Sequence, residues 1–307
     1  MRRTALKKAE NKFSLKFNRA VPAGRQEFIR WFFIAIAIIF ILPVCSFAEL
    51  KIVAPAEVFQ GRSFIVFLSS PAKSAAAYFD GKKISFFPYE NGLRAIIGTE
   101  PEKKTGYYNL RIEAITDNGE LEIKKLSVAV SHRLYPKVSF RLKPSKKKLL
   151  SPDLIVREWA QIEEKILNES KDKLWYEFFM KPVSGMTTMR FGTREYINGK
   201  PTGRHRGWDF RANVGTPVKA GHNGRVVVAQ FFKAFGGTVV IDHGQGINTL
   251  YFHLSRILAD VGQEIEKGKI IGLSGNTGIS SGPHLHWAMS VHNIRVDPMQ
   301  WVETVIP

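Results

Sequence analysis

Hydrophobic and polar residues alternate along residues 108–114, where Tyr, Leu, Ile and Ala are separated by Asn, Arg and Glu. Because successive side chains of a strand point to opposite faces, this period of two predicts a strand with one buried face. Asp117-Asn118-Gly119 follows, and Leu121 and Ile123 resume the alternation. Asn-Gly tolerates the positive φ of a tight turn, so the pattern predicts a β-hairpin.

Two more turn dipeptides, Asp80-Gly81 and Asn91-Gly92, divide residues 49–142 into short segments. Short strands at this spacing are typical of a β-sandwich, and we predict an immunoglobulin-like sandwich over these residues. The stretch contains no cluster of His, Cys or Asp that suits catalysis. We therefore interpret residues 49–142 as a binding or spacer domain.

A basic connector, residues 143–150, comes next and has the sequence KPSKKKLL. We interpret the connector as a solvated linker, with contact to an anionic surface as the alternative. Ser151 then has the character of an N-cap, and Pro152 suits the first helical position. Apolar residues spaced by four, three and four positions predict a helix whose stripe packs on a neighbouring domain. The stripe consists of Ile155, Trp159, Ile162 and Ile166.

From residue 181 onward glycines are frequent, short strand-like runs return and no long helical period occurs. We predict a second all-β domain, an antiparallel sheet over residues 181–307, joined to the first by the linker and helix of residues 143–180. The fold class of the whole chain is therefore predicted to be all-β with one connecting helix.

The first 48 residues have the features of an export signal. Basic residues precede the uncharged run of residues 31–44, which is shorter than the ~20 residues that a membrane-spanning helix needs. Ser46 and Ala48 are small residues spaced as signal peptidase requires, which predicts cleavage after Ala48. We expect export to the periplasm or cell envelope. The alternative is an uncleaved membrane anchor formed by residues 31–44.

Composition narrows the function classes. The 307 residues are 44% hydrophobic and 23% charged, as in ordinary globular proteins, and a single cysteine excludes an intramolecular disulfide or a zinc site of several thiolates. The net charge of +18 suggests a polyanionic partner. An exported protein does not normally meet nucleic acid, so an acidic wall polymer or a membrane surface fits this charge better.

Three sets of residues carry candidate chemistry. His284 and His286 are two positions apart, so on a strand they share one face, although a bare His-x-His pair is also compatible with an incidental arrangement. His205 and Asp209 flank Gly207, which predicts a turn feeding a strand and allows both side chains to approach one cation. The alternative is a hydrogen-bonded His–Asp pair. His253, taken alone, is compatible with a core histidine.

The order and spacing of these and other motifs over about residues 181–300 resemble the lysostaphin-like, or LytM-type, zinc metallopeptidases, which cut peptide bonds in peptidoglycan. The motifs that carry the resemblance are RFGTR (190–194), HRGWD (205–209), GTPVKA (215–220), VVIDHGQG (239–246), YFHLS (251–255), the glycine-rich stretch 262–278 and SGPHLHW (281–287).

The resemblance implies roles for six residues. Those that would bind a single Zn²⁺ ion are His205, Asp209 and His286. Those that would act as catalytic histidines without binding zinc are His253 and His284, and their individual roles stay open. Tyr196 is expected in the loop before His205, where some members place a tyrosine that stabilises the transition state. By contrast, we expect structural roles for the remaining histidines of this region, His222, His243 and His292.

The donor chemistry agrees with this implication, because two imidazoles and one carboxylate leave a fourth position open for water, as in catalytic zinc sites. The leading hypothesis is an exported zinc metalloendopeptidase that hydrolyses cross-links or stem peptides of peptidoglycan. The alternative is a catalytically silent, wall-binding regulator that activates a murein amidase. The sequence leaves open which bond is cut, what the first domain does and which oligomeric state forms.

Overall fold

The computed structural model describes residues 50–167 and 170–307. The predicted signal of residues 1–48, including its apolar run, lies outside these residues. Most elements are strands, which confirms the predicted mainly β character, whereas the immunoglobulin type of the first domain stays a prediction. Within the two described ranges, no helix has both the length and the apolar character needed to cross a bilayer.

Two sheets make up the N-terminal part. Its strands are β1 (Ile52–Val53), β2 (Glu57–Phe59), β3 (Ser63–Leu68), β4 (Ala72–Phe79), β5 (Lys82–Ser85), β6 (Phe87–Tyr89), β7 (Gly92–Gly98), β8 (Gly106–Thr116) and β9 (Leu121–Ser131). One sheet has the order β1-β3-β7-β6 and the other β2-β9-β8-β4-β5. Buried side chains of both sheets share one core, and the predicted alternation along β8 is confirmed because Leu110, Ile112 and Ala114 are buried in it.

Two of the three predicted hairpin turns form at the predicted residues. Asp80 and Gly81 adopt positive φ values of 52° and 75° between β4 and β5, and Gly119 does so, at 88°, between β8 and β9. The predicted Asn91-Gly92 turn is wrong by one residue, because the positive φ of 49° belongs to Glu90. Gly92 begins β7, where a Cβ atom would lie 2.2 Å from the Leu68 carbonyl oxygen.

The connector is folded rather than extended. Helix α1 (Pro144–Lys147) is followed by a 3-10 turn (Lys148–Leu150) and by helix α2 (Pro152–Ile166). The interpretation of the connector as a solvated linker is wrong at Lys146, which is half-buried and bonds to the loop that precedes His284. Ser151 precedes α2 as predicted, but its side chain makes no capping hydrogen bond.

Helix α2 packs on the C-terminal part through its predicted stripe. Ile162 and Ile166 are buried in a cluster with side chains of the large C-terminal sheet, among them Val228 and Leu250. The helix also carries a buried carboxylate next to the stripe, because Glu158 accepts hydrogen bonds from the backbone N–H groups of residues 233 and 234, both at 2.8 Å. The helix is therefore attached to this sheet by both apolar and polar contacts.

The C-terminal part is built on an eight-stranded antiparallel sheet with the order β11-β14-β22-β18-β17-β16-β20, and β23 pairs with β22. Two three-stranded sheets, β10-β12-β13 and β15-β21-β19, accompany it. The strands are β10 (Lys137–Phe140), β11 (Thr187–Met189), β12 (Arg194–Ile197), β13 (Lys200–Arg204), β14 (Trp208–Arg211), β15 (Pro217–Lys219), β16 (Gly224–Phe232), β17 (Gly236–Gly244), β18 (Ile247–Leu254), β19 (Arg256–Ile257), β20 (Glu264–Ile265), β21 (Ile270–Leu273), β22 (His284–Val291) and β23 (Ile294–Val296). A short helix, α3 (Pro298–Glu303), follows.

Strand β10 pairs in parallel with β12, so hydrogen bonding crosses the predicted domain boundary at residue 142. A second link between the two parts passes through Asp297, the N-cap of α3. Its carboxylate accepts hydrogen bonds from the Trp208 indole at 2.8 Å and from the Arg133 guanidinium at 2.7 Å. Because Trp208 begins β14, this link supports the strand that carries Asp209.

Candidate active site

Asp209 and His286 are brought together by strand pairing. Strands β14 and β22 are antiparallel neighbours, and their register places Asp209 opposite His286. His284 shares the face of His286, as the period of two predicts, while Leu285 and Trp287 are fully buried in the core on the other face. The sheet thus separates an apolar face from a face that carries titratable groups.

His205 joins them from the chain that follows β13. Its backbone bonds to Thr193 and Gly192, and its Nδ1 atom lies 3.2 Å from the Arg190 carbonyl oxygen. Because a carbonyl only accepts, this contact places the proton on Nδ1 and turns Nε2 toward Asp209. Gly207 permits the close approach, since a Cβ atom there would lie 2.6 Å from His286 Nε2.

The three side chains present their donor atoms to one point. The atom pairs His205 Nε2–His286 Nδ1, His205 Nε2–Asp209 Oδ1 and His286 Nδ1–Asp209 Oδ1 are 2.9, 3.0 and 2.9 Å apart. Tetrahedral zinc with ligands at about 2.0–2.2 Å needs donor atoms about 3.3 Å apart, so small adjustments would allow this set to hold the ion. Within the described residues this is the one group of His, Cys, Asp or Glu side chains with such spacing.

The electrostatics of the three residues reflect one shared negative charge. Burial lowers the pKa of His205, but the Asp209 carboxylate outweighs burial and raises this pKa to about 9. Burial raises the pKa of Asp209, yet the His205 charge and hydrogen bonds from both histidines hold it well below its usual value. Burial lowers the pKa of His286 to about 4. Before metal binds, His205 is therefore the charged one of the two imidazoles.

His253 and His284 lie beside this set, with ring centroids 4.8 Å apart. His253 Nδ1 donates to the Thr277 carbonyl oxygen at 2.8 Å, and His284 Nδ1 donates to the Gly282 carbonyl oxygen at 2.8 Å. With Nδ1 as the donor, the neutral tautomer of such a ring has Nε2 as its proton acceptor, and His284 Nε2 lies 3.7 Å from Asp209 Oδ2. Burial, together with the charges of His284 and His286, holds the pKa of His253 well below its usual value.

The backbone of His253 adds a sign of functional strain. Its φ is 63°, a left-handed conformation that costs a non-glycine residue of order 1–3 kcal/mol. Its N–H bonds to the Phe235 carbonyl oxygen at 3.1 Å, which holds the residue in this conformation. Such strain at a buried titratable side chain is typical of active sites.

Tyr196 lies on strand β12 rather than in a loop, and the Lys137 ammonium lies 4.2 Å from the centre of its ring. The neighbouring Glu195 is the residue of β12 whose carboxyl group interacts electrostatically with His205 and Asp209, and burial raises its pKa. Sequence analysis missed Glu195, because no motif in the sequence marks this residue. The role of Tyr196 stays a prediction.

The remaining histidines lie outside the set. His222 and His243 are fully buried, and each ring bonds to neighbouring groups: His222 to the backbone of Tyr176, and His243 to Asn223 and Thr249. His292 lies in the turn between β22 and β23. These positions agree with the structural roles expected from sequence.

Comparison with known proteins gives the class of the site. The model of peptidase family M23 matches residues 203–298, which include all five residues gathered here. A solved structure described as a putative peptidase M23 from Pseudomonas aeruginosa is 27% identical, with a TM-score of 0.61, covering 80% of this chain and 94% of that one. Residues 203–298 thus make this chain a member of peptidase family M23.

Two curated relatives show how far the likeness extends. Peptidoglycan DD-endopeptidase ShyA of Vibrio cholerae is 45% identical over 96 residues, which are 31% of this chain and 22% of ShyA. Lysostaphin of Staphylococcus simulans is 37% identical over 120 residues, 37% of this chain and 24% of lysostaphin. The chain therefore spans about a quarter of the length of these relatives.

Proposed function

We propose that this protein is an exported zinc metalloendopeptidase that hydrolyses peptide bonds of peptidoglycan. The observation that carries the proposal is the triangle of donor atoms on His205, Asp209 and His286, with two further histidines beside it. Membership of family M23 supports peptidase chemistry. The names of two proteins similar to this chain, the peptidoglycan DD-endopeptidase ShyA and the glycyl-glycine endopeptidase ALE-1 of Staphylococcus capitis, support a peptide of the cell wall as substrate.

In this proposal His205 Nε2, Asp209 Oδ1 and His286 Nδ1 hold the metal. A zinc ion there supplies a Lewis acid that polarises the scissile carbonyl and makes water acidic enough to ionise near neutral pH. His253 and His284 handle the protons through their Nε2 atoms. One accepts the proton that the attacking water loses, and the other stabilises the developing oxyanion or gives a proton to the leaving amine.

Export and domain roles belong to the same proposal. Residues 1–48 serve as the export signal, residues 49–142 as an immunoglobulin-like binding or spacer domain and residues 181–307 as the peptidase domain. The linker and helix of residues 143–180 connect them. The basic charge of the chain suits a polyanionic wall or an anionic membrane surface.

The experiment that tests the proposal is mass analysis of the muropeptides that the purified protein releases from isolated peptidoglycan. Endopeptidase activity cleaves a peptide bond with the addition of one water, and the product masses identify the bond. The variant His286→Ala is expected to release nothing, whereas His132→Ala, a matched substitution of an exposed histidine, should behave as the wild type.

The alternative, a silent regulator of a murein amidase, predicts a different result. Such a protein would release no peptide by itself and would stimulate an added amidase, whose products are glycan strands freed of peptide. The complete donor set of His205, Asp209 and His286 argues against this alternative, because a protein without metal chemistry has no need of three converging ligands. Stimulation without intrinsic release would overturn the proposed function.

A further inference from the structure

The loop of residues 276–282, here called the site loop, fixes the orientation of both catalytic histidines. Its Thr277 carbonyl oxygen accepts the His253 Nδ1–H, and its Gly282 carbonyl oxygen accepts the His284 Nδ1–H. Ser280 Oγ lies 3.1 Å from His284 Nδ1 and donates to the Gly282 carbonyl oxygen at 2.7 Å. The position of this loop therefore decides where the two Nε2 atoms point.

One side of the site loop is held by the hairpin of β16 and β17, through its turn and the first residues of β17. Ile279 N–H donates to the Ala234 carbonyl oxygen at 2.7 Å, and Gly237 N–H donates to Thr277 Oγ1 at 3.1 Å. Packing is close, because a Cβ atom on Gly278 would lie 2.4 Å from the Ala234 carbonyl oxygen. This side is built from neighbouring parts of the same domain.

The other side is held from the connector by one side chain. The Lys146 ammonium donates to the Asn276 carbonyl oxygen at 2.7 Å, to Asn276 Oδ1 at 3.0 Å and to the Ser280 carbonyl oxygen at 3.0 Å. An ammonium has three N–H donors, so all three are used on this loop. Lys146 thus joins residue 276, where the loop begins, to residue 280, where it turns toward His284.

Lys146 differs from its neighbours in the same run of lysines. Lys147 and Lys148 are exposed, whereas Lys146 is half-buried and reaches a loop 130 residues further along the chain. A solvated linker would not need one lysine with all its donors engaged on a single loop. The contact therefore indicates a specific function for this position in the connector.

We propose that Lys146 is a positioning residue of the active site. Its ammonium holds residues 276 and 280 together, and this closure keeps the Thr277 and Gly282 carbonyl groups on the Nδ1–H groups of His253 and His284. The connector therefore forms part of the catalytic scaffold rather than only linking the domains. The kinetic consequence of this inference rests on the proposed function, whereas its structural consequence does not.

The test compares Lys146→Met, which keeps the length of the side chain but removes its donors, with Lys147→Met as the matched exposed control. Hydrogen exchange of peptides that cover residues 275–284 is expected to accelerate in Lys146→Met and to stay at the wild-type rate in Lys147→Met. For turnover, a displaced proton-transfer group predicts a fall in kcat of about 10- to 100-fold with KM within about twofold and zinc content unchanged.

Two further variants keep the inference testable if Lys146→Met folds poorly. Lys146→Arg retains the charge and several donors and should restore part of the lost kcat, and Asn276→Ala, which removes one of three acceptors, should give an intermediate loss. Unchanged exchange of the site loop in Lys146→Met, or equal effects of the two Met variants, would overturn the inference. A wild type that cleaves no peptide would reject the proposed function, and the exchange measurement would still decide the role of Lys146.

Discussion

Asp209 and His286 lie directly opposite each other on paired strands, with Asp209 Oδ1 2.9 Å from His286 Nδ1. The pair is therefore built into the register of the sheet, and only His205 comes from an irregular segment. A donor set that rests mainly on strand pairing is rigid before any metal binds. This rigidity predicts that replacing a metal ligand and replacing a proton-transfer histidine have different effects on zinc binding.

Substitution of His286 by Ala should remove both zinc and activity, whereas His253→Ala and His284→Ala should keep zinc and lose activity. The reason is that only the first removes a donor atom from the triangle. We expect kcat/KM to fall by at least about 100-fold in all three variants. Zinc content by mass spectrometry and peptide release, measured on the same preparations, check this difference between the variants. Loss of zinc in all three variants would contradict the assigned roles.

His205 should be an imidazolium in the zinc-free protein at pH 7.5. Its pKa of about 9 lies above this pH, so the protonated form dominates, and it must lose a proton before it can bind zinc. Histidine ring ¹H–¹⁵N NMR spectra should show a doubly protonated ring whose signals disappear in His205→Gln. If no imidazolium from His205 is present at pH 7.5, the electrostatic description of the site is wrong.

Glu158→Ala should lower the free energy of unfolding by about 1–3 kcal/mol, because it leaves two backbone N–H groups of the β16–β17 turn without their acceptor. Glu164→Ala, on the exposed side of the same helix, should change it by no more than about 0.5 kcal/mol. Chemical denaturation measures both. Equal values for the two variants would show that the buried carboxylate does not support the turn.

Acid should destabilise the protein through His243. Burial lowers the pKa of His243 to about 3, so between pH 6.5 and that value the unfolded chain binds a proton that the folded chain does not. Stability attributable to His243 therefore falls as pH falls, by about 2 kcal/mol between pH 7 and pH 5. The variant His243→Gln should lose that much less over the same range. Parallel stability curves for the two proteins would disprove the shift.

Local patterns predicted part of this arrangement. The common face of His284 and His286 follows from strand alternation, and alternation is a local property of the sequence. The Asn91-Gly92 turn was displaced because Gly92 is needed for close contact with the Leu68 carbonyl oxygen, a constraint from another strand. Lys146 could not be identified, because its partners lie 130 residues away and nothing in a run of lysines distinguishes one member.

The omission of Glu195 has a similar origin. Glu195 belongs to the same strand as Tyr196, and its approach to His205 depends on how β12 is placed by β10 and β13. That placement comes from the connection between the two parts of the chain and has no signal in the motif itself. Local alternation predicts faces, whereas the elements that these faces meet depend on tertiary packing.

The most direct test of the metal centre is anomalous diffraction at the zinc edge from crystals of the purified protein grown with zinc. The account predicts one peak bound by His205 Nε2, Asp209 Oδ1 and His286 Nδ1 at about 2.0–2.2 Å. A peak held by other side chains, or no peak among these three residues at saturating zinc, would contradict it.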